Sequence, residues 1–327
     1  MPTIAELKTT PAEEKLSFSI PCVLRKQTKR VARNGSPFTV LELGDRTGSF
    51  QVVLFEDSPH HASLEPIAEG AVVRIKGESG HYQGRFSPKL MGIEEIPEAE
   101  QGELMEHLVE ASAEDPESLW ESFQEHIGEI ENPALRETVQ NAVEECGDRF
   151  RTAPAAVSMH HAYRHGLLEH TVHMLRAAKA LFPLYPEVDA DLCRAGIALH
   201  DIGKTIEYGE GLATRRTRAG ILQGHVVLGF RITRRAALRA QLDEALLERL
   251  EHIILSHQGL LEWGAAAMAA TPEAVFVSMV DNLDAKMGMV QYLLRTQAET
   301  GDEFSEYHAG LAAPLMLQPP HPPAANP

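Results

Sequence analysis

Long apolar runs are missing from this chain of 327 residues: none approaches the roughly eighteen consecutive apolar residues of a membrane-spanning helix, and residues 1–10 carry no apolar leader. Neither a membrane partner nor export is expected, which leaves a cytoplasmic protein. Cysteine is scarce as well. Cys22, Cys146 and Cys193 lie far apart with no CxxC pairing, which excludes a disulfide framework and a thiolate zinc site. Basic residues are outnumbered, 30 against 47 acidic ones, for a formal charge of -17. So acidic a chain does not grip a polyanion with its whole surface, and a nucleic-acid partner has to be met by a local concentration of positive charge. Repeats of solenoid period are absent too.

What is present is 43% hydrophobic, enough to bury the cores of one large and one small domain. Residues 1–96 contain runs of strand type at 16–24, 38–43, 49–55, 71–77 and 82–92, separated by turn chemistry such as Asn34-Gly35 and Gly44-Asp45-Arg46-Thr47-Gly48. That spacing predicts a small OB-like β-barrel, with a short helix somewhere in 58–69 limited by Pro59 and Pro66. Arg25, Lys26, Lys29, Arg30 and Arg33 cluster where the first strand meets the second, and Phe38, Phe50, Phe55, Tyr82 and Phe86 follow. A basic groove with stacking rings is how single nucleic-acid strands are held, although strand alternation must bury about half of the aromatics.

Residues 97–132 turn Glu-rich, and Leu104, Leu108, Leu119, Phe123 and Ile127 recur at helical spacing within them, so this connector reads as amphipathic helices with a solvated acidic face. From 133 to 310 helix follows helix, an all-α domain. Residues 311–327, with Pro319-Pro320-His321-Pro322-Pro323, read as a disordered tail.

Six groups in the helical part stand out by their surroundings: His170, His200, Asp201, His225, His257 and Asp281. His200-Asp201 closes the apolar run Ala195-Gly196-Ile197-Ala198-Leu199, and His170 lies between Leu168 and Val172. A lone polar group in such a helix is usually a hydrogen-bonded core residue, but two adjacent ones are costly to bury unless something satisfies both. A metal ion does so, and mixed imidazole and carboxylate ligands suit manganese first, with iron or zinc as alternatives. Two neighbouring ions would share Asp201 as a bridging carboxylate. In His200-Asp201-Ile202-Gly203-Lys204, Gly203 is expected to end the helix and Lys204 to set an ammonium beside a bound phosphate.

These motifs resemble those of the HD-domain metal phosphohydrolases, whose ordered His, His-Asp and distal Asp are matched by His170, His200-Asp201 and Asp281, with His225 and His257 extending the match to the two-metal variety. Through Gly166-Leu167-Leu168-Glu169-His170-Thr171, Leu255-Ser256-His257 and Asp281-Asn282-Leu283-Asp284-Ala285-Lys286-Met287 the chain is similar to the OB-plus-HD 3′-to-5′ exoribonucleases of the YhaM type. Gln258 departs from that pattern, standing where many relatives are expected to carry a second His. The resemblance implies two ions, one held by His170, His200, Asp201 and Asp281 and one by Asp201, His225 and His257. It further implies hydrolysis of single-stranded RNA, or single-stranded DNA, to nucleoside 5′-monophosphates by an activated water, with Asp201 and Lys204 in the catalytic set. Arg215, Arg216 and Arg218 are expected to grip the entering strand, with a solvated basic loop as the plainer reading. His160, His161 and His165 stand ahead of the first ligand, and His173 shares a helical face with it. Two other functions compete: an HD phosphohydrolase for a free or cyclic nucleotide, which leaves the barrel without a task, and a non-catalytic RNA-binding scaffold, which predicts broken ligands. A homo-oligomer is compatible with the sequence.

Overall fold

The computed structural model describes residues 1–318 except 12, 33–34, 60, 65, 83–84, 102–103, 109–113, 157–162, 210–215 and 298–302. The chain falls into two compact units, one of residues 1–111 with 210–215 and one of 112–209 with 216–327.

The first unit is built on strands β1 (Ser17–Val31), β2 (Pro37–Asp45), β3 (Gly48–Phe55), β4 (Val72–Glu78) and β7 (Lys89–Glu95), with a two-stranded ribbon of β5 (His81–Tyr82) and β6 (Arg85–Phe86) between the last two. They form one antiparallel sheet in the order β3-β2-β1-β4-β7, as the OB-like reading requires. Strand β1 is longer than its sequence signal suggested. Its first half pairs with β4 and its second with β2, and a bulge between Leu24 and Lys26 bends it from one partner to the other. Arg25 to Arg30 therefore lie on a strand and not in a connection. The strand expected over 82–92 is instead the ribbon followed by β7.

Alternation sets the barrel core: Leu41, Leu43, Phe50, Val52 and Leu54 are buried, and Val53 and Phe55 are exposed. A helix the strand pattern does not foretell, α1 (Ile4–Lys8), buries Ile4 and Leu7 in the same core. Its signal was present as Thr3-x-x-Glu6, a capping box in which Thr3 accepts from the Glu6 backbone and Glu6 from the Thr3 backbone. Between β3 and β4 lies α2 (His61–Leu64), as short as its flanking prolines predict.

The Glu-rich stretch supplies helices α3 (Glu98–Gln101), α4 (Met105–Leu108) and α5 (Pro116–Gly128). Leu104 and Leu108 pack with Val23, Val72 and Ile96 of the first unit, whereas Leu119, Phe123 and Ile127 join the core of the second. Its carboxylates are not merely solvated. Glu117 pairs with Arg151, and Glu129 meets Lys179 at 2.6 Å and Arg194 at 3.0 Å.

The second unit continues with α6 (Pro133–Cys146), α7 (Asp148–Thr152), α8 (Gly166–Leu181), α9 (Ala190–Leu199), α10 (Lys204–Glu207), α11 (Arg218–Arg239), α12 (Glu244–Ser256) and α13 (Pro272–Gln297). Helix α9 is its centre: Ala195, Ile197 and Leu199 are fully buried, and α6, α8, α12 and α13 all pack on it. Residues expected to be disordered from 311 on begin with structure, since Phe304 bridges Met316, His308 bridges Ala313 and Leu317 is buried. Residues 319–327 lie outside the described residues.

Candidate metal centre

Five separate helix segments deliver the six singled-out groups to one place. His170 lies one turn into α8; His200 caps the C-terminal end of α9 and Asp201 follows it; His257 caps α12 in the same way. Asp281 comes from the middle of α13. His225 is delivered by a break in α11, where Gly224 adopts φ 69° and ψ 161°, a conformation open chiefly to glycine, and lets the helix restart at the histidine.

Gly203 does not end α9, which stops at Leu199. It sits in right-handed backbone ahead of α10, and its lack of a side chain serves close approach, since a Cβ there would stand 2.0 Å from the His225 carbonyl oxygen. Glycine at 203 thus lets the turn after Asp201 lie directly against the turn that carries His225.

The nitrogens and oxygens converge tightly. Nε2 of His170 lies 3.2 Å from Nε2 of His200, 3.3 Å from Asp281 Oδ1 and 3.8 Å from Asp201 Oδ2. The other carboxylate oxygen of Asp201, Oδ1, is 3.5 Å from Nε2 of both His225 and His257. Asp201 therefore belongs to two ligand groups, one with His170 and His200 and one with His225 and His257, in each of which the donor atoms lie within 4.8 Å of one another. Exposure is 18% at Asp281 and 17% at His225, against 0 to 3% at His200, His257, His170 and Asp201, so Asp281 and His225 mark the open side.

Every imidazole is oriented through its far nitrogen. Nδ1 of His200 donates to the Ile197 carbonyl at 2.8 Å and that of His257 to the Ile254 carbonyl at 2.7 Å. Nδ1 of His225 meets Glu207 Oε2 at 2.7 Å, and Nδ1 of His170 meets Asp284 Oδ2 at 2.6 Å. Acceptors on the far side hold the proton there and turn each Nε2 inward, the arrangement in which histidine binds metal. Glu207 and Asp284 escaped the sequence reading of ligands, although Asp284 stands one turn after Asp281 in the quoted motif.

Charge in the centre is strongly linked. Burial lowers the basicity of His170, yet hydrogen bonds donated by its ring to Asp281 and Asp284 outweigh it and raise its pKa to about 10. Burial pushes Asp201 up, but Lys204 and His200 hold its carboxyl well below the usual range. The ammonium of Lys204 lies on Asp201 Oδ2.

Whether these residues fit a divalent cation is answered by Asp201 Oδ1, a fully buried oxygen with no hydrogen-bond partner. A buried carboxylate oxygen left bare is costly, and two facing imidazole nitrogens cannot satisfy it unless protonated. A cation at that point would meet the oxygen and both nitrogens at once. The donor set is nitrogen and oxygen only, which fits manganese, iron or zinc.

The other expected contacts are placed unevenly. His173 is engaged by carboxylates, with Nε2 2.9 Å from Glu114 and Nδ1 3.5 Å from Asp284, which leaves it outside the centre. Arg216 pairs with Glu207 at 3.2 Å, so it braces the carboxylate that orients His225, and Arg218 is exposed. Arg215, His160 and His161 lie outside the described residues. His165 donates through Nδ1 to the Arg151 carbonyl, 2.8 Å away.

On the first unit, register puts Arg30, Phe38 and Phe55 side by side across β1, β2 and β3, with the two rings 5.7 Å apart. Thr28, Val40 and Val53 form the next row on that face, and Lys26, Glu42 and Gln51 a further one. Arg25 donates to the Asp45 carbonyl at 2.9 Å across Gly44, and Phe86 packs edge-on against buried Phe50 at 5.5 Å, so these two serve the barrel itself. Lys29 is exposed on the opposite face of β1 from Arg30. Arg33 and the side chain of Tyr82 lie outside the described residues.

Comparison with known proteins agrees with both halves. A family model described as HD domain matches residues 167–286, and one described as OB-fold nucleic acid binding domain matches residues 23–96. Curated relatives named 3'-5' exoribonuclease YhaM include those of Bacillus velezensis, 35% identical, Bacillus subtilis, 34%, and Bacillus pumilus, 32%, each over 272 residues that cover 83% of this chain and 86% of the relative.

Proposed function

We infer that this chain, which belongs to the YhaM family of 3'-5' exoribonucleases, is a metal-dependent enzyme that shortens single-stranded RNA from its 3′ end and releases nucleoside 5′-monophosphates. The observation that carries the reading is the bare, buried Oδ1 of Asp201 facing Nε2 of His225 and His257, while Oδ2 of the same carboxylate faces Nε2 of His170 and His200. We assign His170, His200, Asp201 and Asp281 to one ion and Asp201, His225 and His257 to a second, with manganese as the metal. Bound there, such ions would supply Lewis-acid polarisation of the scissile phosphate and a water acidic enough to attack near neutral pH.

The chain's own residues do the rest. Asp284 and Glu207 hold His170 and His225 in one tautomer, and the carbonyls of Ile197 and Ile254 do the same for His200 and His257. Lys204, whose ammonium already balances Asp201, is the cation nearest the centre and offsets charge that builds on the phosphate oxygens. The apolar packing of α9 keeps bulk water from the inner side, and the strand enters where Asp281 and His225 are exposed. Arg218 is proposed to meet its phosphates there. On the barrel, Arg30, Phe38 and Phe55, with Lys26 on the same face, are proposed to hold the upstream nucleotides by stacking and charge. Single-stranded DNA is proposed as a weaker substrate, and the cytoplasm as the location.

A scaffold without activity would tolerate scattered ligands, whereas here all six converge. The direct test is purified chain with manganese and 5′-labelled single-stranded RNA, single-stranded DNA and RNA duplex. A ladder that descends one nucleotide at a time from the 3′ end of the single strands is expected. Fragments of internal length, or equal degradation of a 3′-blocked RNA, would overturn the exonuclease reading.

A further inference from the structure

Gln258 follows His257 at the end of α12, and its amide nitrogen lies 2.9 Å from Nε2 of His225 and 3.2 Å from Nε2 of His257. Both rings have their other nitrogen committed as a donor, because the Glu207 carboxylate and the Ile254 carbonyl, each 2.7 Å away, can only accept. A neutral ring held in this way presents a lone pair at Nε2. Two lone pairs thus face one amide. Only its NH2 end can satisfy both, since the carbonyl end would be repelled by each.

The same two lone pairs, with Asp201 Oδ1 at 3.5 Å from both nitrogens, are the donors assigned to the second ion. An amide NH2 cannot coordinate a cation, so the ion and the amide compete for one place. The first position is different in kind: Nε2 of His170 faces Asp281, Asp201 and His200, the groups assigned to that ion, and the neighbour of Asp201 Oδ2 there is the Lys204 ammonium and not an amide.

We propose that Gln258 is a built-in competitor at the second metal position, its amide donating to His225 and His257 in the metal-free chain and making that position the weaker and more exchangeable of the two. The proposal rests on the metal centre assigned above. Gln258 then acts as a positioning residue. It keeps His225 and His257 aligned while the second ion is away, and it ties the loaded state to the free concentration of the metal.

The test is a titration of the full metal-stripped chain with manganese, in which the free ion is read from the electron spin resonance spectrum of its hydrated form. The native chain is expected to show one tight and one weaker binding step. Gln258→Ala leaves two inward lone pairs without a donor in the metal-free state, so the second step should tighten about tenfold. The first step should not change, which also reports that the variant is folded. Gln258→Glu, which keeps the length but cannot donate when ionised, should tighten the second step at least as much. Weaker second binding in Gln258→Ala would make the amide oxygen a ligand and overturn the proposal. Two steps of equal strength, the same in both chains, would overturn it while leaving the metal centre standing. No uptake by the native chain would remove the centre itself.

Discussion

Two buried carboxylates, one in each unit, show what separates a structural acid from a chemical one. Asp45 in the barrel is fully used: Oδ2 accepts from the Ile4 amide at 2.7 Å, and Oδ1 accepts from the amides of Thr47 at 2.7 Å and Gly48 at 3.1 Å. It pins α1 to the turn between β2 and β3. Asp201 is as deeply buried, yet its Oδ1 has no hydrogen-bond partner and faces imidazole nitrogens instead. A protein closes the valences of a carboxylate that only holds the fold, and it leaves open those of one that binds an ion. The barrel in turn keeps Arg30, Phe38 and Phe55 together on one face, where each contributes singly, while the helical unit concentrates its chemistry in groups that act together.

The largest effect expected is for Asp201→Ala, which removes the carboxylate common to both ligand groups. RNA hydrolysis should fall by roughly a thousandfold or more, and manganese content should drop for both ions. The melting temperature of the metal-free chain should fall as well, because the buried Lys204 ammonium loses the carboxylate that balances it. Asp45→Ala should differ in the metal, costing about 2 kcal/mol of stability with metal content intact. Equal metal occupancy in Asp201→Ala would sink the shared-ligand role and with it the contrast between the two carboxylates.

Lys204→Ala comes next. Its ammonium lies on Asp201 and is repelled by divalent ions, so metal should be retained while turnover falls about thirty- to a thousandfold, about 2 to 4 kcal/mol of transition-state stabilisation. Turnover, metal content and melting temperature measured on one preparation separate this from a structural role. Normal turnover with a lowered melting temperature would take Lys204 out of the catalytic set.

Much of this was legible in the sequence, and the reason is periodicity and incongruity. Runs of strand type announced β2 and β3 at 38–43 and 49–55, and polar groups inside apolar helices announced His200-Asp201 and His170. What escaped were features decided by contacts distant in the chain. The length of β1 depends on its two partners, neither of which its own residues specify. Glu207 and Asp284 are ordinary acids of helices until folding sets them against His225 and His170. Gly203 reads as a helix stop, and only the approach of the His225 backbone reveals why no side chain fits. Arg25 and Phe86 fitted a nucleic-acid face by type, but strand geometry turned both to the barrel's own packing.

The exposed side of the comparison is sharpened by Phe38→Ala with Phe55→Ala. Stacking of a base on an aromatic ring is worth about 1 to 3 kcal/mol, so the double variant should raise the KM for long single-stranded RNA about tenfold or more. Turnover of a small activated phosphodiester should stay within about twofold, because nothing in the helical unit has changed. Equal loss on both substrates would mean that the rings support the fold and not the strand.

The smallest effect is a pH dependence that opposes the metal-free and metal-loaded chains. His170 is raised to about 10 in the folded chain by Asp281 and Asp284, with Asp201 and His200 also facing it and His173 on the far side of Asp284. A group whose folded pKa lies above its unfolded value of about 6.5 contributes stability that is full below that value and is lost as pH rises through the folded pKa. From this residue alone the metal-free chain should therefore lose stability between about pH 7 and pH 10, by about 1 kcal/mol per pH unit, or about 2 °C in melting temperature for a chain of this size. Metal binding needs the bare Nε2 of His170 and so releases that proton, which makes the gain from metal grow over the same window. The check is thermal unfolding at pH 7, 8 and 9 with and without manganese, for the native chain and for His170→Gln. A widening gap in the native chain and a constant, smaller one in the variant are expected. A gap that stays flat with pH in the native chain would mean that the proton on His170 does not compete with the ion, and that the carboxylates of α13 hold His170 for a purpose other than metal binding.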